Sequence, residues 1–215
     1  MILLSISNMF AQSDKTNLSL QVSAAAAANR MQLKNYVWTR TVQVFISGVL
    51  KTTMVSSLSI GSDRKMVTTA VSSVSTDPPP TKGIRGSIAK SKTDDMKAYI
   101  DSAIKVGMGY IYMNKGNMVN FFDAAGISQS GNTITVTGSN VLKPNDQMKM
   151  NVATGSLAFI NETFSSTASG DAISGSINYK TFSNGLTAID NGELNLPAKN
   201  MKLMISNSGY AQKLQ

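Results

Sequence analysis

From Tyr36 to Ile46 the side chains alternate with a period of two, and the same pattern resumes almost at once on either side of short turns. Tyr36, Trp38, Arg40, Val42, Val44 and Ile46 share one face of an extended segment; Val37, Thr39, Thr41, Gln43 and Phe45 share the other. Ser47-Gly48 reads as a turn into a second strand, Leu50 to Ile60, with Met54, Ser56, Leu58 and Ile60 on one side. Gly61-Ser62-Asp63 turns again into a third strand, Lys65 to Val74. Parallel neighbours need a crossover of a dozen or more residues, so these strands form an antiparallel meander.

The same period returns in the last third of the chain. Thr133–Thr137, Gln147–Val152, Ser156–Ser166, Ala172–Phe182, Leu186–Leu196 and Asn200–Ser206 read as strands. Their separators include Lys143-Pro144-Asn145-Asp146, Ala153-Thr154-Gly155, Ser169-Gly170-Asp171 and Ser183-Asn184-Gly185, all ordinary turn chemistry. The Asn184-Gly185 pair suits a type I′ turn.

Three segments follow the helical period instead. Leu18 to Tyr36 carries Leu20, Ala24, Ala27 and Met31 at helical spacing behind Asn17, a suitable N-cap. Its run Ala24–Ala28 predicts a small-residue face that packs closely on something flat. Ile84 to Tyr112 repeats apolar residues every three or four positions, including Met96, Tyr99, Ile100, Ala103 and Ile104. Ser91 or Thr93 is placed to cap it, with Asp94-Asp95 in the first turn, and Gly107 and Gly109 weaken its end. A shorter helix covers Lys115 to Ala125, stopped by Gly126. Pro78-Pro79-Pro80 has no N–H donors and reads as a stiff connector between the third strand and the long helix. The order predicts an α+β fold: a large curved antiparallel sheet, or half-barrel, with helices packed on one face. Those helices only partly fill the apolar space that the curved sheet encloses.

Composition narrows the chemistry. The 215 residues include no cysteine and no histidine. Disulfides, thiolate nucleophiles, Cys- or His-based metal sites and a Ser-His-Asp triad are therefore excluded. Asp94 and Asp95 are adjacent, so on a helix they point about 100° apart and cannot share a site. Ser87 and Lys90 have the spacing of a Ser-Lys dyad, but both residue types are abundant enough for the match to arise by chance. The reading is a non-enzyme with no cofactor and no metal. Lys and Arg total 20 against 12 acidic residues, a formal charge of +8, which is mainly a solubility property.

Residues 1–12 read as the remnant of a signal peptide. Ile2, Leu3, Leu4 and Ile6 are apolar and Phe10-Ala11-Gln12 resembles a cleavage region, which leaves 13–215 as one domain. No apolar run approaches the ~18–20 residues of a membrane-spanning helix.

Several blocks carry a family resemblance. They are Asn35-Tyr36-Val37-Trp38-Thr39-Arg40-Thr41 leading to Gly48, Pro78-Pro79-Pro80, Lys82 to Ala89, Asp94-Asp95-Met96-Lys97-Ala98-Tyr99, Lys143 to Met148, and Asn207-Ser208-Gly209-Tyr210. Together, over about Ala24 to Leu214, they resemble a family of uncharacterised exported bacterial proteins. That family is similar in architecture to the LolA/LolB-like lipoprotein-carrier fold, an unclosed half-barrel lidded by helices. The resemblance implies a periplasmic or otherwise exported protein and apolar-ligand carriage. It carries over no catalytic residue.

Two groups of residues are candidates for function. The chain has 13 methionines, and unbranched, polarizable thioethers suit surfaces that adapt to varied acyl chains. Trp38, Val42, Met148, Met150, Met201 and Leu203 are the expected ligand-lining residues. Lys82, Arg85, Lys90 and Lys92 are expected to meet an anionic headgroup or surface. No aromatic residues interleave with these bases, which argues against nucleic acid as a partner. Arg40 is out of place on an apolar strand face, and a carboxylate such as Asp101 is its expected partner. The function expected is a periplasmic binding or carrier protein for a lipid or a lipoprotein acyl chain. The alternative is a structural or protein-interaction module of the cell envelope with a filled core, whose partner is another envelope protein.

Overall fold

The fold was obtained as a computed structural model that describes residues 12–62, 65–75 and 84–213, with the backbone alone for 84–93. Helix α1 (Gln12–Leu33) leads into strands β1 (Tyr36–Ile46), β2 (Val49–Ile60) and β3 (Met66–Ser75). Helices α2 (Ile84–Ile111) and α3 (Lys115–Ala124) follow. Then come β4 (Gly126–Ser130), β5 (Thr133–Ser139), β6 (Gln147–Ala153), β7 (Phe159–Ala168), β8 (Asp171–Thr181), β9 (Thr187–Leu196) and β10 (Met201–Gln212). Most of the expected signal remnant, and Lys82, lie outside the described residues.

All ten strands form one antiparallel sheet in the order β3-β2-β1-β10-β9-β8-β7-β6-β5-β4. Each strand pairs with its sequence neighbour except at one seam, where β1 pairs with β10 and joins the two meanders. The sheet is open, with β3 and β4 as its edges, and the helices complete the α+β fold that the strand and helix periods predict. Strand β4 was not legible, because Gly126 reads as a helix stop and the five residues Gly126–Ser130 alternate too briefly to signal a strand.

The turns sort by backbone angle. Ser47 and Gly48 have φ of 50° and 78°, and Ser169 and Gly170 have 51° and 87°, so both pairs make the two-residue type I′ hairpin. At Asn184-Gly185 only Gly185 has positive φ, 82°. The loop there has three residues, closed by Gly185 N–H to Phe182 O at 2.9 Å and Phe182 N–H to Leu186 O at 2.8 Å. The Asn184 side chain accepts from Leu186 N–H instead of adopting the left-handed backbone that a type I′ turn requires.

Two helix details differ from the sequence reading. α2 is already helical at Ile84, so Ser91, Thr93, Asp94 and Asp95 fall inside it and cap nothing. Continued backbone hydrogen bonding outweighs the local capping preference of a Ser or Thr. Gly107 and Gly109 do not end α2; they let Phe164 and Leu142 lie directly against it, since a Cβ on either would sit 3.4 Å from those rings or methyls. On α1 the buried side is Leu18, Ser19, Val22 and Leu33. The stripe Leu20, Ala24, Ala27 and Met31 is exposed, so the small-residue face packs on nothing there.

The main core lies between α2, α3 and the strands from β4 to β10. Register aligns Met148, Phe164, Gly175, Leu194, Leu203 and Val44 in one row across six strands. The Phe164 ring covers Gly175, where any side chain would collide with it. It stacks on Tyr110 of α2 with ring centres 4.5 Å apart. A second cluster gathers Leu33, Tyr36, Trp38, Leu58, Ile60, Leu186 and Ala188 under the C-terminal end of α1.

Candidate functional site

The second cluster borders a cavity, and a strand irregularity builds it. Arg40 pairs with Asn207 in the β1–β10 register, but Val37 pairs with Ala211, so β10 carries one extra residue between them. Gly209, with φ of 64°, supplies that bulge. An extra residue flips the side-chain alternation. Tyr210 therefore turns to the inner face and stacks on Trp38, ring centres 5.6 Å apart. Its hydroxyl donates to Ile189 O at 2.7 Å.

The cavity beside this stack has a volume of about 60 Å³. One water needs roughly 10–15 Å³ by the same measure, so the space suits a few waters or one small group. Leu33 and Ala26 of α1, Met113 and Met118 before and within α3, and Phe159 of β7 make it largely apolar. Its polar members include Arg30, Arg40, Asn207, Tyr112, Tyr179, Asn29 and Thr187, with no carboxylate among the described lining residues. Arg40 Nε donates to Asn207 Oδ1 at 2.9 Å, and one terminal nitrogen reaches Met66 Sδ at 4.0 Å. Asp101 is not its partner, because the inner strand face turns Arg40 toward β10. Arg30 lies over the Tyr112 ring, 5.1 Å from its centre. Trp38 is 3% exposed, and its Nε1–H has no acceptor.

Beneath the cavity sits Glu162, buried at 1% exposure. Tyr179 donates to Glu162 Oε2 at 3.0 Å, while Oε1 has no partner. Burial pushes the carboxyl up to about 8, against the lowering effect of the Tyr179 hydrogen bond. Near neutral pH the group is largely a neutral acid, which removes the charge that would be costly to bury. Burial also raises the Tyr112 hydroxyl, with Arg40 and Arg30 opposing the rise.

Helix α1 closes the cavity on the other side. Asn29 makes two hydrogen bonds with the backbone of Thr187, donating to its oxygen at 2.6 Å and accepting from its N–H at 2.7 Å. Lys15 Nζ donates to Ala125 O at 2.8 Å, and Thr16 donates to Asp123 at 2.8 Å, which fixes the other end of α1 to α3. Outside Asn29 runs a groove of about 330 Å³ lined by Ala25, Ala26, Ala28, Leu157 and Phe159. Cavity and groove share Ala26, Asn29, Phe159 and Thr187 as walls.

The residues expected to line a ligand site are distributed between two places. Trp38 lines the cavity. Met148, Met150, Met201 and Leu203 are buried in the main core, and Val42 is half-buried beside it. Arg85, Lys90 and Lys92 belong to the first turns of α2, where the backbone alone is described. Tyr210, Asn207, Tyr179, Tyr112, Arg30 and Glu162 escaped the sequence reading. Gly209 inside a strand pattern was the available signal for Tyr210. Glu162 stands two residues before Phe164, and that parity places it on the inner face.

Among solved structures, a DUF1329 family protein from Desulfovibrio piger ATCC 29098 is similar, with a TM-score of 0.44, 8% identity and coverage of 94% of this chain and 93% of that one. A LolA superfamily protein from Nitrosomonas europaea is similar with a TM-score of 0.37, 8% identity and coverage of 92% and 94%. Both alignments run over nearly the whole chain. No family model and no curated protein matches the sequence. Among the described residues no helix is long and apolar enough to cross a membrane.

Proposed function

We propose that this protein is a non-enzymatic binding or carrier module of the periplasm or another exported compartment, holding an apolar ligand such as a lipid or acyl chain. The observation that supports it is the crevice beside α1. An apolar cavity walled by Trp38 adjoins an alanine-lined groove at Asn29. Ala26, Asn29, Phe159 and Thr187 form the wall they share, and Asn29 holds it through two hydrogen bonds with the Thr187 backbone, one donated and one accepted. Alanines leave room along the helix that larger residues would fill. Trp38 is the wall of this site; Met148, Met150, Met201, Leu203 and Val42 form the apolar bed of the inner sheet face. Lys82, Arg85, Lys90 and Lys92 give the molecule a basic segment suited to an anionic headgroup or membrane surface.

Native mass spectrometry and lipid extraction test this reading on protein purified from membrane-containing cells. A co-purifying amphiphile is expected, and protein free of any bound apolar molecule would sink the proposal. A second reading, an envelope structural or interaction module, draws on the filled main core and on the exposed stripe containing Leu20 and Met31. A stoichiometric protein partner recovered without lipid would favour it.

A further inference from the structure

We infer that the polar end of the cavity, which Arg40 and Trp38 both line, receives a single oxyanion head, a carboxylate or a phosphate monoester. The inference rests on the apolar-ligand reading and says which ligands it concerns: amphiphiles with an anionic head, seated head-first with the tail along the α1 groove.

Charge is the first ground. The described lining includes two arginines and no carboxylate. Among the described residues the groups that meet Arg40 are neutral: the Asn207 amide, the Met66 sulfur and the Tyr112 hydroxyl. A half-buried guanidinium carries five N–H donors, and a carboxylate or phosphate is its natural bidentate partner. The second ground is the Trp38 Nε1–H, a buried donor without an acceptor among the described residues, on a side chain that lines the same cavity. A buried donor left unmade is unfavourable, and a ligand oxygen would satisfy it. Size is the third. A cavity of about 60 Å³ is too small for an acyl chain and suits a head, whereas the adjoining groove of about 330 Å³ suits a tail. Glu162, the nearby acid, holds its proton at neutral pH and so leaves the arginine uncompensated. Asn207 keeps the guanidinium aimed, because its own amide is fixed by donating to Ile189 O at 3.1 Å.

The chain has one tryptophan, Trp38, so its fluorescence reports on the cavity directly. Purified full-length protein is titrated with laurate, dodecyl phosphate and dodecanol below their micellar concentrations, followed by tryptophan emission and calorimetry. Laurate and dodecyl phosphate are expected to bind about tenfold or more tightly than dodecanol, as charge-assisted bonding to a guanidinium would give. Arg40→Met is expected to reduce laurate binding to the dodecanol level and to leave dodecanol unchanged; Arg40→Lys should retain part of the preference. Equal binding of all three amphiphiles, or binding seen by calorimetry that leaves Trp38 emission unchanged, overturns the head site while apolar carriage stands. No binding by any of the three overturns the carriage reading as well. Should Arg40→Met fail to fold, the wild-type comparison of heads still decides.

Discussion

The two ends of the sheet use the same alternation and reach opposite results. Under α2 and α3, the strands from β5 to β10 bury their inner residues almost completely; Val136, Met150, Val152 and Leu203 are each 0% exposed. At the β1–β3 end, the same inward-pointing pattern buries Trp38, Val44, Leu58 and Ile60 but covers the rest incompletely. There Val42 and Met54 are half-buried, a cavity opens beside Trp38, and β3 is exposed along nearly its whole length. An apolar strand face is thus only half of a core. Whether it becomes packed interior or binding surface depends on the helix laid over it, and α1 presents alanines where α2 presents Tyr110 and Gly107, against which Phe164 lies.

Truncation of a core residue is the strongest way to break that contrast. Phe164→Ala removes a ring held between Tyr110, Gly107 and Gly175 and should destabilise the protein by about 3–5 kcal/mol. Met54→Ala, on the same sheet face but half-buried, should cost only about 1 kcal/mol. Denaturant unfolding of both variants measures the difference, and equal losses would mean that the β1–β3 end is as tightly packed as the rest.

The next effect is electrostatic. The Glu162 carboxyl is raised from its ordinary value near 4.5 to about 8 in the folded chain. Between those values the native state holds a proton that the unfolded chain has released, so stability falls as pH rises through that window. Glu162→Gln should remove the slope and raise stability near pH 8 by on the order of 2 kcal/mol. Melting temperatures of both proteins from pH 5 to 9 test this; parallel curves would show that Glu162 is ionised in the native state.

The smallest effect belongs to the exposed edge. Strand β3, Met66–Ser75, has no charged residue, and Val67, Val71 and Val74 are all exposed. Uncharged edge strands invite pairing with other chains. Val71→Lys should change stability by less than about 0.5 kcal/mol and reduce light scattering on concentration. A large loss of stability would instead place Val71 in a packed contact.

Much of the fold is legible in the sequence because a two-residue period and short turns leave few alternatives. The strand runs of β1 and β2, the hairpin at Ser47-Gly48 and the long helix from Ile84 are all local consequences of side-chain pattern and backbone angle. The site is less legible. Trp38 could be singled out, but its neighbours Tyr210, Asn207 and Tyr179 come from strands more than a hundred residues away, Arg30 from α1 and Tyr112 from the turn after α2. A periodicity assigns faces; it does not say which helix face meets which strand. For that reason Leu20, Ala24, Ala27 and Met31 read as the packing side of α1 and prove to be the solvent side.

By itself, the sequence determined an antiparallel α+β protein whose lack of histidine and cysteine removes whole classes of chemistry. Tertiary structure alone decided that β1 and β10 meet, and that the Gly209 bulge turns Tyr210 onto Trp38. It also decided that Arg40 faces Asn207 in a cavity whose described lining holds no acid. Those outcomes depend on register and on contacts between distant segments, where a one-residue shift moves a side chain from one face of the sheet to the other. No local pattern encodes that choice; the packing of the whole chain makes it.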